Sequence, residues 1–464
     1  MGDAMQDILS GGGEEVNLED DVPSIASQTK LEFKTPEEEF PVENKQQPAE
    51  LLVNDTSPSS QPRTELKVVE EEQPYISVSV SNPTKVGDGM NAYVTYKVST
   101  RTNMNIFKKK SFSTNRRFSD FLGLHEKLAE KHLHLGRIVP PAPQKDALGT
   151  TKVKMSKDES LQQVDFIEKR RAALERFLMR TAAHPVLRTD QDFREFLELE
   201  AELPKASNTS VLSGAGFARF FSRVGDTVAK ITLRMDESDP VSWPLCTPWW
   251  FEDKQQQVEN LDMQMRRLYT SVESLVQHRR DLCIGTDSFS KSVAMLGNSE
   301  EHSGLSRALA ALAEVEERVE QTQSRQATRD AALLAELLKD YLALVGAVKA
   351  VFHQRAKVYQ TWQHAQSMLS KRRENKARLE LAGKHDKVAQ AREEVVEWEA
   401  KVERGQEEFE NISKMIRQEV ERFEKDRVID FKDTLVQYLE TLLETQQQVN
   451  NYTTFLNYIT KLDK

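Results

Sequence analysis

From Val258 to the C-terminus the sequence keeps one apolar pattern, and that pattern leaves little choice of fold. Val258, Leu261, Met265, Leu268, Val272 and Leu275 alternate at spacings of three and four. Leu334, Leu338, Tyr341, Val345, Val348 and Phe352 repeat the alternation, as do Val388, Ala391, Val395, Trp398 and Val402, continuing through Phe409, Ile412, Ile416 and Phe423. After a shift in phase, Phe431, Leu435, Tyr438, Leu442, Val449, Tyr452 and Leu456 carry it on. Such spacing puts every one of these side chains on one face of a helix. The stripe cannot face water, so the pattern predicts three long helices packed as a coiled-coil bundle, broken near Gly297-Asn298 and near Gly383-Lys384-His385-Asp386. A helix of about 70 residues is roughly 105 Å long. So thin a bundle leaves apolar seam over, and the expectation is a dimer.

The preceding sequence changes period. Ile76, Val78 and Val80 alternate with serines until Asn82-Pro83, which is read as the end of a first strand. A second strand is predicted over 92–100 and a third over 111–118, with Lys108-Lys109-Lys110 in the turn between them. Ser119 and Asp120 are expected to cap a helix running to about residue 134. Ile138 to Pro143 reads as a proline-fixed extended loop, and helices follow at 160–183 and 190–200. The expected organisation is a tail over 1–72, a small α+β domain over 73–203, a linker over 204–249 and the helical domain over 250–464. Within the linker, Phe217, Phe220, Phe221, Val224, Val228 and Ile231 share one face of an amphipathic stretch at about 211–235, flanked by Arg219, Arg223 and Lys230.

Charge is unevenly spread. The tail holds 5 Lys/Arg against 18 Asp/Glu and is expected to be disordered, because it cannot bury enough surface to offset ordering entropy. Residues 73–200 hold 22 Lys/Arg against 15 Asp/Glu, which points to an anionic partner there. No stretch approaches the roughly 20 apolar residues of a membrane span, and neither a signal peptide nor a myristoylation signal is read at the N-terminus. Two cysteines, Cys246 and Cys283, suggest a reducing compartment without disulfides. Scattered histidines, no CxxC and no phosphate loop after a strand predict no enzyme, no metal and no cofactor. Nucleic acid is not expected as a partner, since the helical half is net acidic and carries no recognition motif.

Three places carry candidate chemistry. Arg116-Arg117-Phe118-Ser119-Asp120-Phe121 stands at a strand-to-helix junction, where guanidinium groups, an aromatic face and free helical N–H groups suit a phosphorylated ring. The alternative is a solvated basic pair. Lys145 follows the rigid proline loop, over a pocket or simply on the surface. Arg170 lies four residues from Phe166 and from Leu174, on the apolar stripe of its own helix. A charge there must snorkel to the surface or meet an anion. In the helical half Lys371, Arg372 and Arg373, with Lys376 and Arg378, cluster where the second helix meets the third. They form a solvated face or a contact for anionic lipid.

These motifs resemble a known family. The run from Arg116 to Phe121, then Val139-Pro140-Pro141-Ala142-Pro143-Gln144-Lys145, then Phe166-Ile167-Glu168-Lys169-Arg170-Arg171-Ala172-Ala173-Leu174-Glu175-Arg176-Phe177-Leu178, are similar to a PX (phox-homology) domain. With Leu212 to Gly216, Ser292 to Gly297 and Leu333 to Leu338, the chain from about 75 to 464 resembles the sorting nexins that carry a BAR domain. The resemblance implies phosphatidylinositol 3-phosphate as ligand. Arg117 would hold the 3-phosphate, Phe118 would pack under the inositol ring, Lys145 would contact the 1-phosphate and Arg170 the 4- and 5-hydroxyls. It also implies a curved homodimer or heterodimer on the cytosolic face of early endosomes, with the amphipathic stretch inserted among headgroups. Cargo receptors would be sorted toward the Golgi together with retromer. The competing expectation is a coiled-coil scaffold that binds protein partners and ignores lipid. One departure is an apparent insertion at 239–250, with Pro240, Pro244, Pro248 and Trp243, Trp249 and Trp250.

Overall fold

The structure, a computed structural model, describes residues 74–87, 92–143, 161–201, 203 and 248–462. The tail, Lys145, the amphipathic stretch and the insertion up to residue 247 lie outside the described residues.

Strands β1 (Ile76–Val86), β2 (Tyr93–Thr102) and β3 (Ser111–Arg117) form an antiparallel meander in the order β1-β2-β3. Val78, Val80, Tyr96 and Val98 point inward, while Ser77 and Ser79 face water, as the period of two requires. Asn82-Pro83 does not end β1. Asn82 turns into the left-handed region (φ 49°), the pairing slips between Ser81 and Thr84, and the strand runs on to Val86. A bulge on a sheet edge absorbs the missing proline donor that would break a central strand. Helices α1 (Phe118–His132), α2 (Leu161–Ala183) and α3 (Gln191–Glu198) close over the inner face. There Phe121, Leu128, Leu174, Phe177, Phe193 and Phe196 make one core with the strands.

The helical half has α4 (Pro248–Ser299), then α5 (Ser303–Asp330), a π-helical turn (Ala331–Ala335) and α6 (Glu336–Leu381) as one long second helix, then α7 (His385–Leu462). Pro248 opens α4 without loss, since the first turn has no N–H bond to lose. The first break falls after Ser299 and not at Gly297, which stays helical. There the backbone meets α5 so closely that a Cβ would lie 3.1 Å from Leu309 Cβ. The second break is at Gly383, with φ +66°. Val258, Met265, Tyr341, Val345, Val348, Phe352, Ile412, Ile416 and Phe423 bury together as expected. Leu268 and Leu275 do not. They stay 49% and 39% exposed, and with Leu282, Phe289 and Leu296, also exposed, they make an open row at a strict interval of seven along α4. Val428, Ile429, Leu435, Val436, Leu439 and Leu443 are exposed on α7. Trp250 packs against the bundle core and Trp249 is exposed.

The two halves are fastened to each other. Leu133 and Ile138 belong to the bundle's core. Gly136, at φ +82°, sits so close to α7 that a Cβ would fall 2.9 Å from side-chain carbons of Ile412 and Ile416. Beside it Glu419, 3% exposed, accepts from the Ile138 N–H (3.1 Å), from His184 Nε2 (3.1 Å) and from Arg422 (2.7 Å). His184 Nδ1 accepts from the N–H groups of Val186 and Leu187, so Nε2 carries the hydrogen given to Glu419. A second tie joins Arg180 to Asp340 (2.6 Å) and Asp430 (2.9 Å).

Candidate functional site

The strand pairing separates the two arginines. Tyr96 stands opposite Arg116 and Thr95 opposite Arg117, so consecutive side chains leave β3 on opposite faces. Arg116 points inward and is 1% exposed. Its Nε donates to the Phe196 carbonyl (2.8 Å), its Nη1 to that of Asn115 (3.0 Å) and its Nη2 to that of Leu199. Arg116 therefore holds α3 to the sheet and is unavailable to a ligand.

Arg117 points outward. It occupies the cap position of α1, two residues before Ser119, the first of the predicted cap residues. Asp120, in the helix's first turn, reaches back and accepts from both the Arg117 N–H (3.0 Å) and its Nε (2.8 Å). Arg117 Nη2 donates to the Leu203 carbonyl (3.2 Å). The guanidinium is thus aimed by Asp120 and kept at the start of α1, where helical N–H groups favour anions. Phe118 follows as the first residue of α1.

Arg170 comes to the same place from α2. Its guanidinium carbon lies 4.4 Å from the Phe118 ring centre and 4.3 Å from that of Phe166. The predicted choice between snorkelling and meeting an anion thus has a third outcome: the charge is stacked between two aromatic faces, which lowers the cost of keeping it half-buried. Burial pushes the nearby Tyr96 phenol upward, and the Arg170 charge partly offsets this. Arg117, Phe118 and Arg170 are therefore brought together. The basic cluster at the far end of the bundle is less bare than its sequence: Arg372 pairs with Glu394 (3.0 Å) and Arg373 with Glu399 (2.8 Å), while Lys371 is exposed. Sequence reasoning missed the Glu419–His184–Arg422 tie. The available signal was an acid, Glu419, at a stripe position: it lies three residues after Ile416 and four before Phe423.

Residues 104–200 match the family described as PX domain, and residues 217–457 match Vps5 C terminal like. Sorting nexin-2 of Bos taurus is 52% identical over 377 residues, covering 81% of this chain and 70% of that protein. This chain belongs to the sorting nexin family. Sorting nexin-1 of Bos taurus is 49% identical over 416 residues, covering 88% of this sorting nexin and 78% of its own length. The cryo-EM structure of the SNX-BAR Mvp1 tetramer aligns with a TM-score of 0.47 and 15% identity over 82% of this chain and 99% of that one. The sorting nexin is thus a PX domain, with its three-stranded sheet and helices, followed by a BAR-like helical domain. Among the described residues no helix is long and apolar enough to cross a membrane.

Proposed function

We propose that this sorting nexin is a dimeric, non-enzymatic peripheral protein that reads phosphatidylinositol 3-phosphate on endosomal membranes and sorts cargo receptors from them with retromer. The observation that carries the reading is the meeting of Arg117, Phe118 and Arg170 at the start of α1. Two cations flank an aromatic face, which suits a phosphorylated inositol ring. Arg117 is assigned to the 3-phosphate, Phe118 to the ring, Arg170 to the 4- and 5-hydroxyls and Lys145 to the 1-phosphate. The open heptad row on α4 supports the dimer: apolar residues from Leu268 to Leu296 cover roughly 42 Å of helix. Doubling a weak headgroup site on a stiff frame raises avidity without new contacts. Lys371, Arg372 and Arg373 are assigned to anionic lipid, and the stretch containing Phe217, Phe220, Phe221, Val224 and Val228 to insertion among headgroups.

The test is co-sedimentation of the full chain with vesicles containing or lacking phosphatidylinositol 3-phosphate. Arg117→Ala is expected to weaken lipid-specific pelleting by about tenfold or more, the loss of a charge-assisted bidentate contact. A native chain that pellets with neither set of vesicles would favour the rival scaffold.

A further inference from the structure

The outer face of the sheet carries charge of one sign. From residue 92 to 119 the chain holds seven Lys/Arg and no Asp/Glu. Strand pairing puts its side chains in rows. Ser77, Arg101 and Ser111 stand in one row across the three strands, Ser79, Ser99 and Ser113 in the next, and Ser81, Lys97 and Asn115 in the third. Val78, Val80, Tyr96 and Val98 point into the core, so these rows point out. Lys97 and Arg101 are exposed. So are Lys108, Lys109 and Lys110, in the turn that the Thr102 N–H closes on the Lys110 carbonyl (2.9 Å). No ion pair among the described residues engages any of the five. Glu198 reaches that turn from α3, but it accepts from the Lys108 N–H (2.6 Å).

The cations are arranged along a line. Lys97 and Arg101 lie four residues apart on the central strand, roughly 13 Å. Between them runs the row of three serines, whose short side chains leave the face low. The result is a shallow track along β2 that leads to the lysine turn. An extended peptide has the same interval: its alternate side chains face one way, and carboxylates four residues apart match Lys97 and Arg101. A bilayer is disfavoured as the occupant. From 77 to 81 on β1, 95 to 101 on β2 and 111 to 115 on β3, every outward side chain is Ser, Thr, Asn, Lys or Arg, with none to enter hydrocarbon. A nucleic-acid strand is disfavoured too, because none of them is an aromatic on which a base could stack. A second copy of the same face would be repelled.

We propose that the outer face of the sheet is a docking track for an extended, Asp/Glu-rich segment of a partner protein, held by Lys97, Arg101 and the lysine turn. It is separate from the headgroup site: Arg101 pairs with Ser111, and Arg117 lies six residues further along β3, roughly 20 Å. The test uses the full chain without lipid and a fluorescein-labelled peptide of eight residues that alternates glutamate with serine. Fluorescence anisotropy is expected to show binding that weakens as salt rises, and no binding of the peptide with glutamine in place of glutamate. Lys97→Gln with Arg101→Gln should weaken binding about tenfold, the order of two exposed ion pairs together, and Lys109→Gln with Lys110→Gln should do the same. Both variants should keep the native melting temperature and the native pelleting on vesicles containing phosphatidylinositol 3-phosphate. Equal binding of the glutamine peptide, or undiminished binding by both variants, would overturn the proposal. So would variants that lose pelleting on those vesicles but still bind the peptide, which would make a bilayer the occupant. Binding seen only after residues 1–72 are removed would also overturn it and give the face to the chain's own acidic tail.

Discussion

Arg116 and Arg117 are chemically alike and adjacent, yet one braces the domain from within and the other points outward at the start of α1. Their division follows from strand parity, which the sequence cannot supply until it is known where β3 starts. Arg116→Ala would strand the carbonyls of Phe196 and Leu199 in a dry core. It is expected to cost about 2–4 kcal/mol, read as a lowered melting temperature of the purified chain, while Arg117→Ala melts close to the native value. Arg170 was conspicuous in sequence because a charge interrupted an apolar row. Its aromatic sandwich was not legible, since Phe118 comes from a distant part of the chain. Glu419 makes a pH prediction. Burial alone would raise its carboxyl, but the hydrogen bond from His184 and the charge of Arg422 outweigh that, and it is held below the usual glutamate range. A carboxyl depressed in the folded state adds stability that is complete above its unfolded pKa and is lost as pH falls through the folded one. Acid titration of stability should therefore show a loss below about pH 4.3, the unfolded glutamate value, and Glu419→Gln should flatten that part of the curve.

At the level of elements, periodicity found nearly every strand and helix, and local chemistry moved their ends. Asn82-Pro83 looked like a terminator, but an edge strand can bulge around it. Asp120 looked like a cap, and it does cap, though from inside the first turn and on behalf of Arg117. The π-helical turn at Ala331–Ala335 left no trace in the apolar spacing. It directly follows Asp330, which is fully buried and held by Arg279 (3.1 Å) and Gln326 (2.6 Å). Gly136 is the most constrained connector. Its left-handed backbone and its contact with Ile412 and Ile416 both exclude a side chain. Gly136→Ala is expected to cost about 1–3 kcal/mol through overpacking. Hydrogen exchange should locate that loss at 133–143 and the facing turns of α7, with the sheet unaffected. Protection unchanged in both places would show that the packing there is looser than the distances imply.

For the whole molecule, the three-four spacing predicted the bundle correctly but could not tell a seam buried within one chain from a seam kept for another. Both read as the same stripe. Only the packed chain reveals that Leu268, Leu275, Leu282, Phe289 and Leu296 are left open while Met265 and Val272 are covered. Replacing Leu275 and Leu282 together by glutamate should give a helical monomer in sedimentation equilibrium, and a persisting dimer would place the subunit contact elsewhere. The tie between the PX domain and the bundle has a geometric result of its own. Glu419, Arg180 and Gly136 grip from three points, which leaves no swivel between the lipid-reading end and the long rod. A molecule caught by one headgroup would therefore be pointed as well as caught, and neighbours landing on the same membrane would arrive already facing a common direction.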